Sequence, residues 1–376
     1  MSKIYIVETK YTNNMSSKTR WQSILSVSIV AALLVGGVVG YFIGGGQTVA
    51  GTGVTATITK EVTVTSYVTV TKQPETPVVR IGRLTSGTSG VITQVMEDLK
   101  LLDKHGLTNY QFLTFSAEED GPAFFFGKID IFFSSAEEVA EFTFKGVPTT
   151  IFAPGAVAHA AVVVRADSPY QTWKDLTGKK IGNPGFTTTT YKFFKTLSKM
   201  KYGLDAEKDF INVIGGMPAL IGYLERGEVE AILTWEAFVS RLLASGKYRV
   251  LEKNFNGIWV ELTGQPLVFS APAARTEWIN RYPEAARAIA LATFEAIEWI
   301  TSHPQETIQK YGEKFFGLSS VPEKQLAAES INRAPWYTLD WDLKLFNAQM
   351  SFVQKMVELG ILTETPKGQL YADVRR

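Results

Sequence analysis

Apolar and polar positions alternate along the chain in two different periods, and the switches between them outline the elements. Short apolar runs at Val78–Gly82, Tyr110–Phe115 and Ile129–Phe133 predict strands; 3.6-residue spacing at about Ser89–Lys104 and Glu137–Phe144 predicts helices. The same succession returns further on. Strands are predicted at Lys180–Gly182, Phe210–Ile214 and Val229–Leu233, and helices at about Thr188–Lys201 and Ala237–Ser245. Gly106 and Gly203 close the first helix of each set. Pro122 and Pro218 each sit where a second helix begins, a position that suits a residue without an N–H.

The two sets share one register. Gly127-Lys128-Ile129-Asp130-Ile131-Phe132-Phe133-Ser134 lines up with Gly227-Glu228-Val229-Glu230-Ala231-Ile232-Leu233-Thr234, and Lys180-Ile181-Gly182 follows Arg80-Ile81-Gly82 by 181 − 81 = 100 residues. Two segments in the same register imply two copies of one unit. Alternation of strand and helix in each copy predicts a parallel sheet with helices on its faces. Two more continuous apolar runs, Ala160–Arg165 and Pro266–Pro272, read as strands crossing between the lobes as a hinge. Beyond Thr276 the spacing turns helical, at Glu284–Thr301 and Asp342–Gly360, and these helices are expected to return to the first lobe.

The N-terminus follows other rules. Trp21–Ile43 contains no charged residue, and as a helix it would span roughly 35 Å, enough to cross a bilayer. Lys3, Lys10, Lys18 and Arg20 precede it, so charge asymmetry puts residues 1–20 in the cytoplasm and the rest outside. A retained anchor is favoured over a cleaved signal because the charged lead is long, although Val54-Thr55-Ala56 leaves a cleavage site open. Residues 44–77 are threonine-rich and alternate Val with Thr or Ser through Val62–Thr71, which favours extended backbone. With no partner strand apparent, they read as a stalk or a plain linker. The resulting organisation is a cytoplasmic segment (1–20), a transmembrane helix (21–43), a stalk (44–77), lobe 1 (78–165 and 266–376) and lobe 2 (166–265).

Composition narrows the function. Net charge is +1, so there is no electrostatic reason to expect nucleic acid. Cysteine is absent, and the three histidines (His105, His159, His303) are far apart, so no thiolate chemistry and no metal or other cofactor is expected.

Several stretches together resemble a known family, the type II solute-binding proteins of ABC transporters in the nitrate/taurine/alkanesulfonate group. They are "GKIDIFFSSAEEVAEF" (Gly127–Phe142), "AAVVVRADSPYQTWKDLTGKKIGNPG" (Ala160–Gly185) and "RGEVEAILTWEAF" (Arg226–Phe238), and the likeness extends over roughly Val78–Ala274. The resemblance implies an α/β type II periplasmic-binding-protein fold of two lobes with mixed sheets, a hinge and a central cleft. It also implies an extracytoplasmic receptor that hands a small ligand to permease and ATPase subunits, without catalysis.

Ligands of parallel α/β sheets bind beyond the carboxyl ends of the strands. That rule selects the loops holding Thr85 and Ser86, Ser134 and Ser135, Thr187, Thr188 and Thr189, and Trp235 and Glu236, with His159 just before a crossing strand. Thr187–Thr190 opens a predicted helix, whose free N–H groups and hydroxyls suit a sulfonate, carboxylate or nitrate held without a salt bridge. One threonine is needed merely to cap that helix. In the family, positions matching this loop and Ser134 contact ligand. Trp235 can flank an aliphatic portion of the ligand and Glu236 can accept from an amine; core packing and a solvated helix start are the structural alternatives. His159 is a donor to ligand or a buried structural histidine. Asp130 and Glu230 match each other mid-strand and read as structural. A pyrimidine or other heterocycle is the rival ligand. An enzyme and a sensor ectodomain are the rival classes for the same fold.

Overall fold

The computed structural model describes the backbone of Ile4–Thr9 and Val64–Thr69 and the chain from residue 77 to residue 375. It divides into two units, Met1–Glu75 and Thr76–Arg376. In the first, Ile4–Thr9 (β1) pairs antiparallel with Val64–Thr69 (β2). The alternating Val/Thr run therefore has a partner strand where the sequence offered none. The partner comes from far along the chain, and a period of two fits a strand whatever lies beside it. The expected span Trp21–Ile43 lies outside the described residues, as does most of the stalk. Among the described residues no helix is long and apolar enough to cross a membrane.

The second unit is built on two sheets of matching strand order. The strands are β3 (Val79–Leu84), β4 (Tyr110–Phe115), β5 (Ile131–Ser134), β6 (Thr149–Ile151), β7 (Ala156–Val157), β8 (Ala161–Arg165), β9 (Lys180–Asn183), β10 (Ile211–Ile214), β11 (Ala231–Thr234), β12 (Tyr248–Val250) and β13 (Val268–Arg275). Lobe 1 runs β4-β3-β5-β13-β6, with β7 also on β13; lobe 2 runs β10-β9-β11-β8-β12. In each, three strands are parallel and the crossing strand is antiparallel to the last of them. β5 and β11 are buried along their whole length, as strands covered by helices on both faces must be.

The internal repeat extends to residue contacts. Ile81 pairs with Ile131 and Ile181 with Ala231, a separation of 50 residues in both lobes. Asp130 N–H donates to the Arg80 carbonyl at 2.8 Å, and Glu230 N–H to the Lys180 carbonyl at 2.9 Å. Glycine recurs for a reason of space. A Cβ on Gly82 would lie 2.8 Å from Ile129 Cδ1, and one on Gly182 would lie 2.9 Å from Ile232 Cγ2. Asp130 forms a two-pronged ion pair with Arg80, in keeping with a structural role.

Two expectations shift. β8 is a member of the second sheet, so lobe 2 begins before Ala161 and not after Arg165; the chain crosses first and then pairs. The crossings lie side by side, with Ala158 N–H donating to the Leu267 carbonyl at 2.8 Å. Asn256 pins both: its N–H donates to the Ala158 carbonyl and its Oδ1 accepts from Leu267 N–H, each at 2.8 Å. The C-terminal helices also do more than return to lobe 1. Pro283–Ser302 packs on Thr88–Asp98 in lobe 1, but Val321–Arg333 packs on Phe238–Ala244 in lobe 2. Leu343–Glu358 lies on Ala136–Phe144 and Thr189–Tyr202 together, and its Phe352 ring sits 4.8 Å from Phe193 and 5.1 Å from Trp259. Apolar spacing marks a buried face without saying which neighbour buries it.

Candidate functional site

His159, between β7 and β8, is one point where the lobes meet. Its Nδ1 accepts the Glu236 N–H of lobe 2 at 3.3 Å, and its Nε2 faces Thr88 Oγ1 of lobe 1 at 3.4 Å. A ring that accepts at Nδ1 carries its proton on Nε2, so the neutral tautomer suits both contacts. Burial pushes the imidazole down to about 4, which keeps it neutral. Glu236 is buried as well. Its Oε2 accepts from Ser240 N–H at 3.1 Å and Ser240 Oγ at 2.7 Å, and burial pushes the carboxyl up to about 7.

Two cavities flank this junction. One, of about 370 Å³, is lined by Ser86 and Gly87 of lobe 1 and by Trp235, Glu236, Phe238 and Arg241 of lobe 2, and closed by the end of the helix Pro304–Phe316. The other, of about 430 Å³, is lined by His159, Glu236, Asn254, Asn256, Ser330 and Arg333 among others. Ser86, His159, Trp235 and Glu236 thus gather at one junction.

The hydroxyl loops divide differently. Thr188 is the N-cap of Thr189–Tyr202, accepting Tyr191 N–H at 3.3 Å and donating to the Gly185 carbonyl at 2.8 Å. Its hydroxyl is spent on the helix start, the capping alternative at this threonine run. Thr187 is exposed and lines a cavity of about 250 Å³ with Phe186, Tyr191, Lys192 and Lys195. Thr85 is also exposed, its N–H donating to the Phe115 carbonyl. Ser134 is buried and donates to Glu138 Oε2 at 2.7 Å. Ser135, at the start of Ala136–Phe144, and Thr189, at the start of the lobe 2 helix, both come near Glu137. The expected meeting of the two lobes' polar loops is therefore found at Ser135 and Thr189 and at His159, while Thr85 and Thr187 lie on the surface.

Thr88, the last residue of the predicted loop Thr85–Thr88, meets His159. Other polar residues at this seam escaped the sequence reading: Lys192 in lobe 2 pairs with Glu141 in lobe 1 at 3.0 Å. Asp120, Glu137 and Glu138 crowd the lobe 1 side. Burial, with help from Glu138, pushes Asp120 up to about 8; burial pushes Glu138 up to about 7 and raises Glu137. The available signal was Glu137-Glu138, one residue beyond Ser134-Ser135, where acids in a first helical turn read as ordinary surface charge. Among the described residues no group of His, Asp and Glu is placed to hold a metal. The lobe 1 wall is thus proton-holding and acidic, and the lobe 2 wall presents a helix N-terminus and a lysine.

A two-lobed α/β protein with polar loops meeting at a hinged seam has the architecture of ABC-transporter substrate-binding proteins. Residues 118–294 match the sequence model of a family described as ABC transporter, phosphonate, periplasmic substrate-binding protein. Solved structures share the fold. The periplasmic aliphatic sulphonate binding protein SsuA of Escherichia coli is 18% identical, with a TM-score of 0.64 over 77% of this chain and 90% of its own. The alkanesulfonate-binding protein SsuA of Xanthomonas axonopodis pv. citri, bound to MOPS, is 16% identical, with a TM-score of 0.59 over 80% and 100%. The periplasmic nitrate-binding protein NrtA of Synechocystis PCC 6803 is 14% identical, with a TM-score of 0.57 over 77% and 83%. No curated protein matches the sequence. These comparisons support the resemblance drawn from the sequence, to an ABC-transporter substrate-binding protein of the nitrate/sulfonate/taurine group.

Proposed function

We propose that the protein is an extracytoplasmic receptor that closes on a small solute carrying an acid group, such as a sulfonate, phosphonate or nitrate, and delivers it to the permease and ATPase subunits of an importer. The observation that carries this reading is the seam itself. Ser135 at one helix start and Thr189 at the helix start of the other lobe both come near Glu137, and His159 contacts Thr88 of lobe 1 and Glu236 of lobe 2. Helix starts supply free N–H groups and partial positive charge to an anion. The neighbours that share the fold include sulfonate- and nitrate-binding proteins.

A thermal-shift screen of sulfonates, phosphonates, nitrate, bicarbonate and pyrimidines tests it. A true ligand at a hundredfold excess over Kd adds about 2.7 kcal/mol of stability. A shift with a pyrimidine and none with any anion overturns the anion reading in favour of the heterocycle, which the cavity lined by Trp235 and Glu236 would suit. Tethering through Trp21–Ile43 belongs to the same proposal: a charge-free stretch of that length supports it. Alkaline carbonate extraction of membranes tests it, since an anchored chain stays in the pellet.

A further inference from the structure

The cavity of about 430 Å³ beside His159 has walls of its own, with none of Ser135, Thr188 and Thr189 among them. Three connections between the lobes border it. His159 and Asn256 belong to the two crossings that Asn256 pins together. Arg333 and Pro335 belong to a third. There the chain leaves the helix Val321–Arg333, which packs on lobe 2, and runs beside β7, where Val157 N–H donates to the Trp336 carbonyl at 2.9 Å. Val239, Leu243 and Val250 of lobe 2 supply an apolar wall.

Most polar groups around the cavity are already spent. Lys253 pairs with Glu261, and Glu252 accepts from the Tyr202 hydroxyl, Trp173 N–H and Lys201. Ser330 donates to the Ala327 carbonyl. The side-chain donors left without a partner are those of Asn256, Asn254 and Arg333. Asn256 is 5% exposed, and its Oδ1 accepts from Leu267 N–H, which fixes the other end of the amide as the donor; that Nδ2 has no partner. Asn254 repeats the pattern, with Oδ1 accepting from Gly257 N–H at 2.8 Å and Nδ2 bonded to nothing. Arg333 makes neither a hydrogen bond nor an ion pair, although Glu236 feels its charge. A mostly apolar cavity with a few convergent polar groups is the ordinary form of a small-molecule site. A buried amide donor left open is costly unless something in the cavity accepts from it.

We propose that this cavity is a second ligand site, for a small monocarboxylate with a branched or aromatic body, its carboxylate held by Arg333 and the amide donors of Asn254 and Asn256 and its body laid on Val239, Leu243 and Val250. Uncommitted donors select an acceptor for the head group, and a guanidinium meets a carboxylate with two parallel hydrogen bonds. An amine would meet Arg333 as a like charge. Glu236, pushed up to about 7 by burial, carries its proton below that pH and then sets no charge against the carboxylate. The site stands apart from the seam that receives the imported solute, so each is tested without the other.

Isothermal titration of the full chain at pH 6 with phenylacetate, benzoate and 4-methylpentanoate, each against its neutral amide, tests it. At least one carboxylate should bind about tenfold more tightly than its amide. Arg333→Gln, at the exposed end of a helix, should bring that ratio toward one. Asn256→Asp keeps an acceptor for Leu267 N–H and replaces the open donor by an oxygen, so it should weaken the carboxylate about tenfold. Neither substitution should change the thermal shift with ethanesulfonate or nitrate. Binding by none of the three carboxylates, equal affinity for acid and amide, or an affinity that Arg333→Gln leaves unaltered overturns the second site; if Asn256→Asp does not fold, Arg333→Gln decides alone. These results leave the receptor reading to its own screen. A carboxylate weakened by Arg333→Gln in a protein that no sulfonate, phosphonate or nitrate stabilises supports the second site and overturns the anion reading.

Discussion

His159 and Glu236 touch, and their ionisations pull stability in opposite directions with pH. His159 is held at about 4, below the 6.5 of a free imidazole, so its contribution is present above pH 6.5 and is lost as pH falls toward 4. At 1.36 kcal/mol per pH unit the loss reaches at most about 3 kcal/mol. Glu236 is held at about 7, above the 4.5 of a free carboxyl, so its contribution is present below pH 4.5 and is lost as pH rises toward 7. The same arithmetic gives at most about 3 kcal/mol. Over the shared window the two nearly cancel, and removing either residue exposes the other. Urea unfolding of the unliganded protein at half-unit steps from pH 4 to 7.5 reads this out. Relative to the unsubstituted protein, His159→Gln should gain stability as pH falls, and Glu236→Gln should gain it as pH rises. The buried acids Asp120, Glu137 and Glu138 act in all three proteins and drop out of the differences. Curves for the variants that run parallel to the parent, offset by a constant, would refute the assignment of neutral histidine and proton-holding glutamate.

Three further outcomes follow from packing and capping. Gly82→Ala and Gly182→Ala should each cost about 1–3 kcal/mol, because both new methyls meet an isoleucine closer than contact distance; in thermal melts that is roughly 2–4 °C per kcal/mol, and a cost at only one site would break the equivalence of the lobes. Thr188→Ala should cost about 1 kcal/mol of stability by uncapping the helix while changing ligand affinity little, which calorimetry on the same sample checks. Phe352→Ala should cost about 3–5 kcal/mol and speed amide exchange in Thr189–Tyr202, since Phe352 wedges against Phe193 and Trp259.

What the sequence made legible was local and repeated. The strands before Ser134 and Thr234, the helices opened by Pro122 and Pro218 and the glycine stop at Gly203, which takes a left-handed φ of 73°, all depend on a few adjacent residues. The repeat at a spacing of 100 then compared one prediction with another inside the same chain, and the two sheets do share one strand order. What stayed hidden was non-local. The partner of Val64–Thr69, the sheet that receives Ala161–Arg165, and the second surface covered by Leu343–Glu358 are each settled by a segment tens of residues away.

The same distinction explains the site. Topology placed the loops, because strand ends are where a parallel sheet leaves backbone groups free, and Ser135, His159, Thr189 and Glu236 lie where that rule puts them. Topology does not assign tasks within a loop. Thr187, Thr188 and Thr189 are identical residues in sequence, yet one faces solvent ahead of the helix, one caps it with extended backbone and one opens it near Glu137 of the other lobe. Glu137 and Glu138 are successive helical residues, turned by about 100° from each other, one toward lobe 2 and one toward Ser134. Burial of Glu137 is created only when two lobes and the C-terminal segment come together. A window of sequence around it shows an acid in a first turn, the commonest of surface features, and its burial appears only in the folded structure.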